Sequence, residues 1–128
     1  MRLLLDTHAF MWWDSTPEKI PSETSALLKQ PDNEILLSIV SIWEMQIKTQ
    51  LGKLTLRENL ADIVRQQQAT NSIELLSITM AHVLEIDELP YHHKDPFDRL
   101  LVAQSRVESV AIVSCDHILQ QYDCTVVW

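Results

Sequence analysis

Four acids stand where short apolar runs end or helical patterns begin: Asp6, Glu44, Asp98 and Asp116. Asp6 closes the run Leu3 to Leu5, and Asp116 follows another apolar run through Ser114 and Cys115. Glu44 falls in the first turn of a helix opened by Ser41, and Asp98 in the first turn of one opened by Asp95 and Pro96. If the apolar runs are parallel strands, all four acids can face the crevice beyond the strands' carboxyl ends, where such sheets bind ligands. Two carboxylates ~4 Å apart repel by about 4 kcal/mol at an effective dielectric of 20, so four ionised acids must protonate or bind cations. An all-oxygen donor set without cysteine selects Mg²⁺ or Mn²⁺ over zinc. Such ions hold phosphates and lower the pKa of bound water, which points to phosphoryl chemistry.

Each acid also has an ordinary structural role open to it. Ser41 and Glu44 fit a capping box, with Glu44 returning a hydrogen bond to the N-cap amide. Asp95 is a conventional N-cap, Asp98 complements the helix dipole, and Asp6 and Asp116 suit turns after strands. Taken singly, Glu44 and Asp95 read better as caps. Four caps gathered at one sheet edge have no common structural reason.

The elements that must position these acids alternate between short Ile-, Val- and Leu-rich runs and helical patterns, as in an α/β domain with a buried parallel sheet. Strands are expected at Leu3–Leu5, Ile35–Ile39, Glu74–Ile78, Ala111–Ser114 and Thr125–Val127, in the order βααβααβαβαβ. One helix opens at Pro21 and Ser22 and closes before Pro31, and another runs from Ser41 to Gly52, where glycine suits a left-handed C-cap. Leu60, Ile63 and Val64 share a stripe within Glu58–Thr70, and Thr79 caps a segment carrying Val83, Leu84 and Ile86. Asp95 followed by Pro96 begins the last long helix.

Composition excludes several other classes. A chain of 128 residues, 46% apolar, is expected to form one domain spanning 1–128. Its 18 acids against 10 Lys and Arg give a net charge of -8, the wrong sign for a broad nucleic-acid footprint. Its single glycine rules out Gly-rich phosphate cradles. The apolar run near the N-terminus is too short for a signal peptide or membrane span, so no membrane association and a cytoplasmic location are expected. Cys115 and Cys124 form no CxxC or zinc pattern and read as small apolar strand residues.

Four stretches resemble the PIN-domain family, and within it the VapC-type toxins of bacterial type II toxin–antitoxin systems: LLLDTHAFMWW (3–13), LSIVSIWEMQIKTQLGKL (37–54), DPFDRLLVAQS (95–105) and IVSCD (112–116). The resemblance implies a three-layer fold with a mostly parallel sheet of four to five strands flanked by helices. It also implies a metal-binding active site at Asp6, Glu44, Asp98 and Asp116, and a Mg²⁺-dependent endoribonuclease leaving 5′-phosphate and 3′-hydroxyl ends. In the two-metal form, ions roughly 3.5–4 Å apart activate a water and stabilise the leaving oxygen. Asp6 would be the central ligand and Asp98 its main partner, with Thr7 and Ser114 supplying supporting hydroxyls. Asp95 competes with Asp98 for the third acidic position, and the match of DRLLVAQ to the family's acid-plus-helix pattern favours Asp98. The resemblance further implies RNA as substrate, a homodimer, and a cognate antitoxin whose basic inhibitory segment fills the acidic pocket.

Lys48, four residues after Glu44, can pair with it or touch RNA phosphate, and Lys94 and Arg99 offer similar local charge. His8, two residues after Asp6, is the histidine expected to approach the site. His82, His92, His93 and His117 lack ligand spacing and read as surface or supporting residues. Trp12 and Trp13 form a cluster suited either to the core or to an antitoxin or subunit interface, whereas Trp43 reads as core. Two other functions compete: a non-catalytic acidic module binding a basic peptide, and a metal-dependent phosphatase. A haloacid-dehalogenase-type phosphatase requires a second Asp two residues after the first, where this chain has His8.

Overall fold

The computed structural model describes residues 1–128 and contains a five-stranded sheet, all parallel, in the order β3-β2-β1-β4-β5. The strands are β1 (Arg2–Leu5), β2 (Glu34–Ser38), β3 (Glu74–Leu76), β4 (Ala111–Val113) and β5 (Val126–Val127). The helices are α1 (Thr7–Ser15), α2 (Ser22–Lys29), α3 (Ile39–Gln50), α4 (Leu60–Asn71), α5 (Met80–Glu85) and α6 (Pro96–Glu108). Two helices separate β3 from β4, and only a 3₁₀ segment, His117–Gln121, separates β4 from β5; the expected helix on each of those two connections is corrected accordingly.

Strand alternation builds the layers. Leu3 and Leu5, Ile35 and Leu37, and Ala111 and Val113 project to one face, where Phe10 of α1, Leu28 of α2, Met45 of α3 and Ile63 and Val64 of α4 cover them. Leu4 and Leu36 project to the other face against Leu100 and Leu101 of α6, and Ile112 against Val102 and Ala103. Period-two side chains on a sheet covered on both sides make the interior strand positions apolar, leaving polar residues such as Arg2, Glu34, Ser38 and Glu74 at strand ends, which is why these runs carry no polar alternation.

Helix ends show where the local signals worked and where one misled. Asp95 accepts from the amides of Phe97 and Asp98 ahead of Pro96, and Thr79 caps α5, both as expected. α3 begins earlier than Ser41, because the hydroxyl of Ser38, the last residue of β2, accepts from the Val40 amide. No loop separates strand from helix. Ser41 and Glu44 are therefore interior, buried helical residues and form no capping box, and Glu44 lies in the second turn. The Ser41 hydroxyl is buried with no hydrogen-bond partner.

At the far end of α3, Gly52 has φ +71°, with its amide on the Thr49 carbonyl and the Lys53 amide on that of Lys48, the two bonds of a Schellman cap. With no further glycine available, α4 and α6 end on left-handed serines, Ser72 and Ser109, each at φ 55°. Trp43 is 56% exposed and packs edge-on against Phe97, so it is not a core residue. Trp12 and Trp13 are partly buried against the larger core, and Trp12 also contacts Trp128, His8 and Lys19. Neither cysteine lies on a strand; both are free and partly buried beside strand ends.

Candidate active site

β1 is the central strand, and the chain builds outward from it to β2 and β3 on one side before crossing to β4 and β5 on the other. The sheet's switch point therefore lies between β1 and β4, the position where parallel α/β sheets open a crevice at their carboxyl edge. Asp6 leaves β1 there and Asp116 follows β4. The first turn of α6 brings Asp95 and Asp98 to the same edge, and α3 brings Glu44 and Lys48. Together with Thr7, His8, His93 and Cys115 they line a cleft of about 230 Å³.

Three of the acids owe their placement to caps. Asp6 is the N-cap of α1, with Oδ1 accepting from the Ala9 amide at 2.8 Å. Asp116 caps the 3₁₀ segment through the Ile118 amide, and its own amide donates to the Ser114 hydroxyl at 3.0 Å. Asp95 spends Oδ1 on the first amides of α6, which leaves Asp98, one turn in, as the α6 acid without a capping duty. Capping and convergence are thus compatible: one carboxylate oxygen fixes the rotamer and the other remains available.

Glu44 is held differently. Thr7 donates to its Oε1 at 2.6 Å, and Lys48, four residues along the helix, donates to Oε2 at 2.6 Å. The carboxylate is 3% exposed as a residue, and Lys48 reaches it from a part-exposed position. That hydrogen bond raises the Lys48 ammonium above its ordinary pKa, aided by the charges of Glu44, Asp95 and Asp98. Lys48 therefore stays charged and acts as an internal counter-ion for one acid of the cluster.

Asp6 and Asp98 feel their surroundings differently. Burial pushes the Asp6 carboxyl up, with nearby Glu44 adding to the rise and the Ser114 hydroxyl and Ala9 amide opposing it. Asp98 is raised to about 6, chiefly by burial and further by the charges of Asp95 and Glu44. Its Oδ2 lies 2.7 Å from Nε2 of His93, which partly offsets that rise. Burial and the charge of Asp6 also raise the Cys115 thiol, so the available donors are carboxylate oxygens, hydroxyls and imidazole nitrogen. One ligand atom each from His93, Asp98 and Asp116 lie within 4.8 Å of one another, a set that could hold a divalent ion.

Not every expected residue is where the sequence reading put it. Arg99 is buried, its guanidinium donating to the carbonyls of Ile86, Leu89, Pro90 and His93 and to the Tyr122 hydroxyl. Both terminal nitrogens are directed into the loop it pins, so it is not a phosphate contact. Lys94 is exposed between two cleft-lining residues. His82 is a core histidine: its Nδ1 accepts from the Thr79 amide, and Nε2 lies 3.0 Å from Glu108. His93 is the cleft residue that sequence reasoning missed. The only trace of it was its place just before the Asp95 cap, from which the entering chain folds back over the first turn of α6.

Comparison with known proteins agrees with this fold. Among solved structures, the chain matches VapBC2 from Rickettsia felis bound to a promoter DNA fragment at a TM-score of 0.73 and 15% identity, covering 99% of this chain and 98% of that one. VapBC-1 from nontypeable Haemophilus influenzae matches at 0.67 and 16%, covering 99% and 97%. FitAcB from Neisseria gonorrhoeae matches at 0.61 and 14%, covering 97% and 95%. At these identities the likeness is one of fold. No curated protein sequence matches the chain significantly. The PIN domain family model matches residues 3–123, nearly the whole length, and with the acids meeting at the switch point of its all-parallel sheet this chain belongs to the PIN domain family.

Proposed function

We propose that this protein is a divalent-metal-dependent endoribonuclease that acts as the toxin of a type II toxin–antitoxin pair. The observation that carries the reading is the convergence of Asp6, Glu44, Asp98 and Asp116 in one cleft, with Asp6 and Asp98 both pushed up by burial and by the acids beside them. A site that raises its own carboxyls gains most from a cation. Asp6, Asp98 and Asp116 would hold Mg²⁺ or Mn²⁺, and Glu44 would complete the set directly or through water. What a bound ion supplies is a lowered pKa for its water and positive charge opposite a phosphodiester.

The chain's own groups do the rest. The Ala9 amide fixes Asp6, and Thr7 and Lys48 fix Glu44, so the acids meet substrate with little reorganisation. Lys94 and the free portion of Lys48 offer local positive charge to an RNA backbone on a protein whose net charge of -8 otherwise opposes it. The antitoxin partnership is supported by the VapBC complexes among the structural neighbours, and an acidic cleft suits a basic inhibitory segment. No helix is long and apolar enough to cross a membrane.

The test is purified protein on total RNA, with and without Mg²⁺, beside Asp6→Asn, Asp98→Asn and Asp95→Asn variants whose fold is checked by circular dichroism. Cleavage should require metal and vanish in the first two variants. Full cleavage in chelator, or activity retained by Asp98→Asn and lost by Asp95→Asn, would overturn the assignment.

A further inference from the structure

His93 stands outside the four acids, and three observations place it among them as a functional group. Its Nε2 is 2.7 Å from Oδ2 of Asp98, and His93, Asp98 and Asp116 present ligand atoms within 4.8 Å of one another. Adjacent ligands on an octahedral ion with bonds of about 2.1 Å are separated by roughly 3.0 Å, so His93 and Asp98 at 2.7 Å need part only slightly to become neighbouring ligands. The residue is also held in place: Arg99 of α6, buried, donates to the carbonyls of His93, Pro90 and Leu89. Arg99 and Asp98 are consecutive on α6, so the segment carrying the imidazole is fastened to the helix carrying the carboxylate.

We infer that His93 supplies a nitrogen ligand to a divalent cation shared with Asp98 and Asp116, and that this tilts the site toward Mn²⁺ over Mg²⁺. The inference rests on the metal-dependent reading of the cleft and names a ligand that reading lacks. For Nε2 to bind the ion, its hydrogen bond with Asp98 is given up and the ring's proton resides on Nδ1, leaving the Nε2 lone pair for the ion. Mg²⁺ prefers oxygen and gains little from imidazole, whereas a first-row transition ion accepts nitrogen readily.

The experiment uses chelator-treated protein titrated with MnCl₂ or MgCl₂ alone, followed by calorimetry, with Mn²⁺ electron spin echo spectra recorded on the loaded protein. Wild type should show ¹⁴N modulation from a coordinated imidazole, absent in His93→Gln. The variant should bind Mn²⁺ about tenfold more weakly while its Mg²⁺ affinity changes less than about threefold. Absence of the nitrogen signal in wild type, or its persistence in His93→Gln, overturns the proposal, and the spectrum needs no variant to be informative. An equal loss for both ions would overturn it in favour of His93 only orienting Asp98, and tighter binding of both would overturn it in favour of His93 competing with the cation. Asp6→Asn and Asp98→Asn are the separating controls: if neither weakens binding of either ion, the metal-dependent reading itself fails.

Discussion

Asp98 puts the electrostatics of the cleft within reach of a stability measurement. Its carboxyl, raised from 3.8 to about 6, is destabilising when ionised in the metal-free protein, so Asp98→Asn should stabilise that form at pH 7.5. A shift of about two pKa units corresponds to about 3 kcal/mol at most. The side chain keeps 21% of its surface, and solvent screening reduces the figure to about 2 kcal/mol. For a chain of this length that is roughly 8 °C in Tm. The sign follows from linkage: the folded pKa lies above the unfolded one, so folded Asp98 binds its proton first as pH falls, and wild type recovers stability through pH 6 toward 4. Asp14 runs the other way. Burial raises it, but the hydrogen bonds from Arg57 and Gln67 outweigh that and leave its pKa low, so its stabilisation is lost only below about pH 4. The Tm gap between Asp98→Asn and wild type, measured by scanning calorimetry in chelator, should be largest at pH 7.5 and close between pH 6.5 and 4.5. The carboxamide of the introduced asparagine can accept from or donate to Nε2 of His93, whichever tautomer the ring takes, so the substitution removes charge while keeping the contact. A variant less stable than wild type at pH 7.5, or a gap independent of pH, would refute the claim that burial and the neighbouring acids raise Asp98.

Other perturbations follow from named contacts. Lys48→Met strands the buried Glu44 carboxylate with Thr7 as its one remaining donor, and should cost about 2 kcal/mol in metal-free urea melts, partly restored by Mg²⁺. Arg99→Met removes the donors that pin four loop carbonyls; stability should fall by about 3 kcal/mol, and amide hydrogen exchange should rise across residues 86–94 more than in the sheet. Ser72→Gly and Ser109→Gly should each raise stability by roughly 0.5–1 kcal/mol, since both serines sit at φ 55°, while Gly52→Ala should lower it by about 1 kcal/mol although nothing lies within 4 Å of the added Cβ.

The sequence by itself determined the strands, because a sheet covered on both faces leaves no polar position in Leu3–Leu5 or Ala111–Val113, and apolar runs of that kind are visible without coordinates. It also determined Asp95 as a cap and Gly52 as a helix end, since both depend on a few bonded neighbours. The parallel order put Asp6, Glu44, Asp98 and Asp116 within reach of one edge. What only the tertiary structure decided depends on partners distant in sequence or on where a chain turns. Ser38 closing β2 and capping α3 in one residue moved Glu44 out of a supposed capping box and into the cleft wall. Arg99 reads as a surface cation until the loop at 86–93 folds over it, and Trp43 reads as core until α3 turns it outward onto Phe97. His93 carries no spacing signal at all. Its place beside Asp98 exists because the chain doubles back at the start of α6, and that turn is held by the Arg99 guanidinium bonding the carbonyls of the loop before it, an arrangement no spacing of ligand residues announces.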